Sequence, residues 1–143
     1  MSISSRRATA AALALIALFV GGWASIAPHS FYSSFPLPGH HWIEALPAYN
    51  EHLTRDVGGL YLALFIASLW SALRPRLESL RLVGASWLGF SVPHLAFHAT
   101  HLEVFSNVDA VGNVLTLGAA VFLPALLLWP AGRDNTIDEQ RAR

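Results

Sequence analysis

Four stretches of this chain carry no Asp, Glu, Lys or Arg: Ala8 to Ala27, Val57 to Leu73, Leu82 to Leu102 and Ala110 to Gly132. A membrane-spanning helix needs about 20 mostly apolar residues, and each stretch meets that length or reaches it with its flanks. The composition leaves few other ways to fold. Of 143 residues, 54% are hydrophobic and only 13% are charged, whereas soluble domains carry about 25% charged residues. Mean hydropathy is +0.46. A single soluble domain of this size has too little interior to hide that much apolar surface. The expected fold class is therefore all-α, an integral membrane four-helix bundle. Residues 1–132 form one domain with spans at about 8–27, 57–73, 82–102 and 110–132, an external cap at 28–49, and a cytoplasmic tail at 133–143.

Arginine sets the expected orientation, because Lys and Arg accumulate in cytoplasmic loops. There is no lysine. Arg6 and Arg7 precede the first span, Arg74, Arg76 and Arg81 separate the second from the third, and Arg133, Arg141 and Arg143 follow the fourth. Only Arg55 falls on the other side, between Glu51 and Asp56. An even number of spans with both termini cytoplasmic is the arrangement that gathers these arginines on one face. The first stretch also has the form of a secretory signal, ending in small residues at "ASIA", but Pro28 directly after the best cleavage point favours retention as a span. By the same topology His29, His40, His41, His52, His94, His98 and His101 all fall on the outer side.

Three spans carry a polar stripe in their outer halves. On an α-helix, residues i, i+4 and i+7 share a face, so His94, His98 and His101 line up, with Ser91 and Trp87 continuing the stripe inward. At 1.5 Å per residue, His94 lies about 12 Å below Leu102. Pro93, beside it, cannot donate to the carbonyl of Gly89 and favours a kink. The second span is expected to start at Asn50 as N-cap, pairing Glu51 with Arg55 and His52 with Asp56, and Gly58 and Gly59 then leave room for a neighbouring helix. The fourth carries Asp109, Asn113 and Thr116. Intramembrane polar groups almost always face the bundle interior, so the stripes are expected to converge. The connection 28–49, rich in Pro and aromatic residues, reads as a cap with "HHWIEAL" as a short amphipathic helix. Trp23, Trp42 and Trp129 read as interfacial anchors, and Trp70 and Trp87 as packing residues.

Two chemistries fit such a pocket. Imidazoles on adjacent turns suit Zn, Cu or Fe, which makes His94, His98 and His101 candidate metal ligands. The alternative is a metal-free pocket for a small lipophilic ligand, in which His52 and Asp56 form a candidate acid/base dyad, the carboxylate fixing the imidazole tautomer. Glu51, Arg55, Asp109, Asn113, Thr116, Trp87 and Ser91 would bind the ligand or orient the histidines. An enzyme or redox-accessory role stays open. The bland counterpart is an interior hydrogen-bond network that holds helices in register, or a non-catalytic subunit that uses the stripes to assemble with a membrane-protein partner or a second copy. Zero formal net charge gives a nucleic-acid partner no electrostatic support. The absence of cysteine removes thiolate chemistry and disulfides.

The stretch "SFYSSFPLPGHHWIEALPAYNEHLTRDVGGLYLAL" resembles that of small four-span membrane proteins of uncharacterised role in actinobacteria. The charged start of the second span, followed by paired glycines, is similar more loosely to DoxX-like four-helix families. The resemblance implies a four-helix fold in a bacterial plasma membrane, multi-pass. It carries no reaction to transfer, and the quinone-linked redox association of DoxX-like proteins has no matching motif in this chain.

Overall fold

The computed structural model describes residues 1–46 and 48–130. The expected tail at 133–143 and the last two residues of the fourth stretch lie outside them. Among the described residues the chain is all α, with no strand. The helices are α1 (Ile3–Ile26), α2 (Pro28–Ser34), α3 (Glu51–Leu73), α4 (Leu77–Ala99) and α5 (Asn107–Leu128), with a single 3-10 turn, Leu102–Val104, before α5.

Local chemistry sets where the long helices start. Ser2, Asn50 and Ser106 each turn a side-chain oxygen back to an otherwise unpaired backbone N–H, of Ser5, Leu53 and Asp109 respectively, which is the usual N-cap bond. Each helix therefore begins several residues before its charge-free stretch, because the first turn tolerates polar side chains that the membrane interior does not. Asn50 is the N-cap expected from the sequence. Pro75 disfavours helical geometry in Arg74 before it, and α3 stops at Leu73.

Helices α1, α3 and α5 are each long and apolar enough to cross a membrane. Helix α4 has the length but also carries Glu78, Arg81, His94 and His98, and it is not among those three. The distribution of side chains is that of a membrane protein. Leu15, Leu60, Ile66, Leu82, Leu115 and Phe122 are exposed, while Arg6, Ser68, Ser71, Ser91, His98 and Asn113 are buried. An apolar exterior spread over every long helix needs lipid around it, since soluble proteins do not tolerate apolar patches of that extent.

The contacts divide the long helices into two close pairs, α1 with α3 and α4 with α5, each pair antiparallel. In the first, Gly21 of α1 lies against Gly58 and Leu62 of α3, and Gly58 lies against Ala24 and Ser25. In the second, Gly84 of α4 lies against the Pro124 carbonyl and Leu127. The pairs join through a core of Ala10, Leu13 and Ala17 with Leu80, Val83, Trp87 and Leu127. Arg6, at the start of α1 and 0% exposed, donates to the carbonyls of Leu127 and Trp129 at the end of α5. A guanidinium thereby satisfies carbonyls that a helix C-terminus leaves without intrahelical partners.

The 28–49 connection differs from expectation. Its helix is α2, where Pro28 at the first position is already set to helical φ, and Phe31 from it and Phe35 just after it pack with Val20, Trp23 and Ala24. "HHWIEAL" forms turns instead, closed by Ala45 N–H to the His41 carbonyl at 3.0 Å and Leu46 N–H to the Ile43 carbonyl at 3.1 Å.

Candidate functional site

The α4 stripe is real over its first four members and ends before the fifth. Trp87 is buried and its Nε1 donates to Ser68 Oγ of α3 at 3.0 Å. Ser91 Oγ donates to the Trp87 carbonyl at 2.8 Å. Trp87 thus ties α4 to α3, while Ser91 spends its hydroxyl proton within α4. One turn on, His94 stacks on Phe90 with centroids 5.0 Å apart and meets the edge of His98 at 4.7 Å. His98 is only 8% exposed, with Phe105 stacked parallel at 6.2 Å and Asn113 of α5 as a polar neighbour.

His101 does not join them. Helix α4 ends at Ala99, because the Thr100 N–H and hydroxyl both turn back to the Phe97 carbonyl. His101 Nδ1 bonds the same carbonyl at 2.8 Å, and its ring stacks on Phe97 at 4.2 Å. The i+7 relation holds only while the helix continues, and here it stops two residues short. Among the described residues no three His, Asp or Glu side chains come together as a metal-ligand set; His94 and His98 make a pair without a third.

The start of α3 is spent elsewhere. His52 Nε2 lies 3.3 Å from Asp56 Oδ2, but the side chains are 83% and 55% exposed, so the dyad forms as a solvated pair, not as part of an enclosed pocket. Arg55 Nε donates to Glu51 at 2.9 Å, and its other end donates to the Ser25 carbonyl, tying α3 to the end of α1. Screened pairs of this kind contribute little on their own.

The α5 stripe separates into three roles. Thr116 Oγ1 turns back onto its own helix, to the Gly112 and Asn113 carbonyls at 2.9 and 3.0 Å. Asn113 is 2% exposed and faces α4 beside His98. Asp109 fastens the connection: Oδ1 lies 2.6 Å from His40 Nδ1 and accepts from Trp42 Nε1 at 2.8 Å, and Oδ2 accepts from Ser106 Oγ at 2.7 Å. Trp42, expected as an interfacial anchor, is 8% exposed and lies over Gly112, where a β-carbon would come within 3.0 Å of its ring. His40 and Trp42 are the members of this clamp that sequence spacing does not find, because they lie far from Asp109 along the chain.

Asp109→Ala is therefore expected to release the connection. Removing an acceptor shared by three donors costs about 2 kcal/mol. The loss should appear as a red shift of tryptophan emission as Trp42 becomes wetter, and as faster proteolysis within 35–49. Asp109→Asn, which keeps an acceptor oxygen, should fall between. Unchanged emission and proteolysis in the alanine variant would show that the clamp does not hold Trp42.

Between the two helix pairs, α3 and α4 leave a half-open apolar groove of about 360 Å³, lined by Val57, Leu60, Tyr61 and Leu64 of α3 and Ser86 and Phe90 of α4. The glycines draw α1 to α3 and α4 to α5, while Tyr61 stands edge-on against Trp87 and Phe90, with centroids at 6.0 and 5.2 Å, so aromatic rings wedge the seam between the pairs. Phe90 also stacks on His94, so one ring separates the groove from the imidazole pair, neither member of which lines it. The seam is invisible to sequence periodicity, which locates faces but not the gap between them. No family model, curated protein or solved structure matches the chain.

Proposed function

We propose that this is a four-span protein of a bacterial plasma membrane, with both termini cytoplasmic, that binds a small lipophilic ligand from within the bilayer. The ligand's chain occupies the α3–α4 groove and its polar head meets His94 and His98. The observation that carries the reading is Phe90, which lines the groove and stacks on His94. A groove of this size lies within the range of small-molecule sites, which are mostly apolar with a few placed polar groups.

Helix α4, the third long helix in chain order, is the span that brings the number to four. Its 23 residues measure about 34 Å along the axis, and its polar members Ser91 and His98 are buried against neighbouring helices instead of facing lipid. Arg6, Arg7, Arg74, Arg76 and Arg81 lie towards the end of the assembly formed by the start of α1, the α3–α4 connection and the end of α5. The positive-inside rule makes that end cytoplasmic. The imidazole pair then belongs to the outer leaflet. A ligand reading is favoured over a metal centre because His101 stands apart on Phe97.

The test is the content of the purified protein. Protein taken from its native membrane into nanodiscs should retain a lipophile that mass spectrometry finds in an organic extract. His94→Ala and His98→Ala should each reduce it about tenfold, equivalent to about 1.4 kcal/mol of binding, while His101→Ala retains it. Equal retention by all variants would remove the imidazole pair from the site. Loss of a partner protein with no change in extractable lipophile would favour the assembly role instead.

A further inference from the structure

A formal net charge of zero conceals two strongly charged ends. The start of α1, the α3–α4 connection and the end of α5 meet at one end, where Met1 and Ile3 pack with Ala72, Leu80 and Leu127. Counted by chain order, the side chains of that end are eight arginines against Glu78, Asp134, Asp138 and Glu139, a surplus of four positive charges. At the opposite end Arg55 stands against Glu44, Glu51, Asp56, Glu103 and Asp109, a surplus of four negative charges when histidine is neutral.

The two ends also differ in how their charges are met. Every ion pair among the described residues lies at the acidic end: Arg55 with Glu51, His40 with Asp109, His41 with Glu44, and His52 with Asp56. At the arginine end Arg7, Arg74, Arg76 and Arg81 are exposed, and no described carboxylate lies within ion-pair distance of any of them. Arg6 adds a further cation. It is buried, with its terminal nitrogens held by the Leu127 and Trp129 carbonyls, and Arg81 lies close enough to repel it. An anion beside Arg81 relieves that repulsion.

Depth identifies the anion. Trp70 and Trp129 are exposed at the same end, and the Arg74 guanidinium lies over the Trp70 ring, 4.3 Å from its centroid. Exposed tryptophan marks the headgroup level of a bilayer, so an arginine stacked on it stands among lipid phosphates. Arg81 directly precedes Leu82, whose exposed side chain belongs in hydrocarbon, which puts Arg81 at the same boundary. A guanidinium matches a phosphate through two parallel hydrogen bonds. A zwitterionic headgroup brings an ammonium along with its phosphate and leaves the surplus as it was, whereas an anionic phospholipid neutralises it. We propose that Arg7, Arg74, Arg76 and Arg81 form a docking surface for anionic phospholipids, held by their phosphodiesters at the level of Trp70 and Trp129, while the acidic end repels the same headgroups. This surface is separate from the α3–α4 groove and stands whether or not the groove takes a ligand.

The experiment reconstitutes the full chain in nanodiscs of equal parts phosphatidylglycerol and phosphatidylcholine, then counts by native mass spectrometry the lipids that stay bound after transfer to a neutral detergent. Phosphatidylglycerol should exceed phosphatidylcholine at least about tenfold. Each arginine near a headgroup contributes about a fivefold change in binding, so Arg76→Gln combined with Arg81→Gln, both at exposed positions, should bring the two lipids close to parity. Arg55→Gln, at the acidic end, should leave the preference unchanged. Equal retention of the two lipids by the parent protein would overturn the proposal. So would an equal loss of preference in Arg55→Gln, because total charge and not this end would then be responsible. Displacement of the lipid by inorganic phosphate, beyond that by chloride at the same ionic strength, would assign the arginines to a soluble anion and overturn the lipid assignment. A preference that emerges only after Asp134, Asp138 and Glu139 are neutralised would assign them to the chain's own carboxylates and overturn it as well.

Discussion

Gly58→Val should destabilise the protein more than any other single substitution on α3, while Gly59→Val, one residue along, should change stability little. A β-carbon at Gly58 would lie 2.8 Å from the Ser25 backbone nitrogen and 3.1 Å from the Ala24 carbonyl carbon, and would also meet Ser25 Oγ; at Gly59 it would meet nothing within 4 Å. The obstacle at Gly58 is largely backbone and cannot swing aside, so α1 and α3 must separate along the seam that small residues keep tight. Overpacking of this kind costs about 1 to 3 kcal/mol and occasionally more. For a chain of this size that lowers the thermal midpoint by roughly 5 to 10 °C. The check is paired thermal unfolding of both variants in one detergent. Similar midpoints would mean that the α1–α3 seam does not depend on this contact.

Arg6→Met is expected to produce the second large loss. The guanidinium is fully buried and caps the end of α5 by donating to the Leu127 and Trp129 carbonyls. Methionine fills much of the same volume but offers no donor, leaving two carbonyls unsatisfied where water reaches poorly. Each such group costs about 1 to 3 kcal/mol, so the expected total is about 3 kcal/mol. Arg6→Lys should recover part of it, since an ammonium can serve one carbonyl but lacks the planar fork that reaches two. Hydrogen exchange gives the specific readout: amides in the last turns of α5 should exchange faster in the methionine variant while those near Ser106 do not. Uniform acceleration along α5 would mean that Arg6 acts on global stability and not as a cap.

These residues also show where sequence reasoning reaches its limit. Asn50 was legible as an N-cap because the bond to the Leu53 N–H closes within one turn. The contact between His94 and His98 was legible for the same reason, since four residues in a helix place two side chains one above the other. His101 was not. Its position depended on the helix continuing, and Thr100 draws its hydrogen bonds back to Phe97. The spans at Ala8 to Ala27, Val57 to Leu73 and Ala110 to Gly132 correspond to helices long and apolar enough to cross a membrane. The stretch at Leu82 to Leu102 became a helix that starts at Leu77 and ends at Ala99.

The expected convergence of three polar stripes was met only in part. On α4 and α5 it brings His98 to Asn113, but the α3 stripe holds pairs within itself and a carbonyl of α1. Helical period states which residues share a face and leaves open which way the face turns. That rotation is set by the closest packing available. On α3, Gly58 turns towards α1 and carries Arg55 with it, leaving His52 and Asp56 exposed.

The amino-acid sequence alone determined the four long helical segments, the Asn50 cap, the apolar exterior and the adjacency of His94 to His98, because each depends on composition or on bonds closed within a turn or two. Only the tertiary structure decided which member of each glycine pair meets a neighbour, with Gly21 and Gly58 packed and Gly22 and Gly59 open. It also decided that Asp109 holds Trp42, that Arg6 caps α5, and that a groove opens between α3 and α4. Those features join residues distant in the chain, and their geometry follows from how helices rotate and approach when backbone meets backbone.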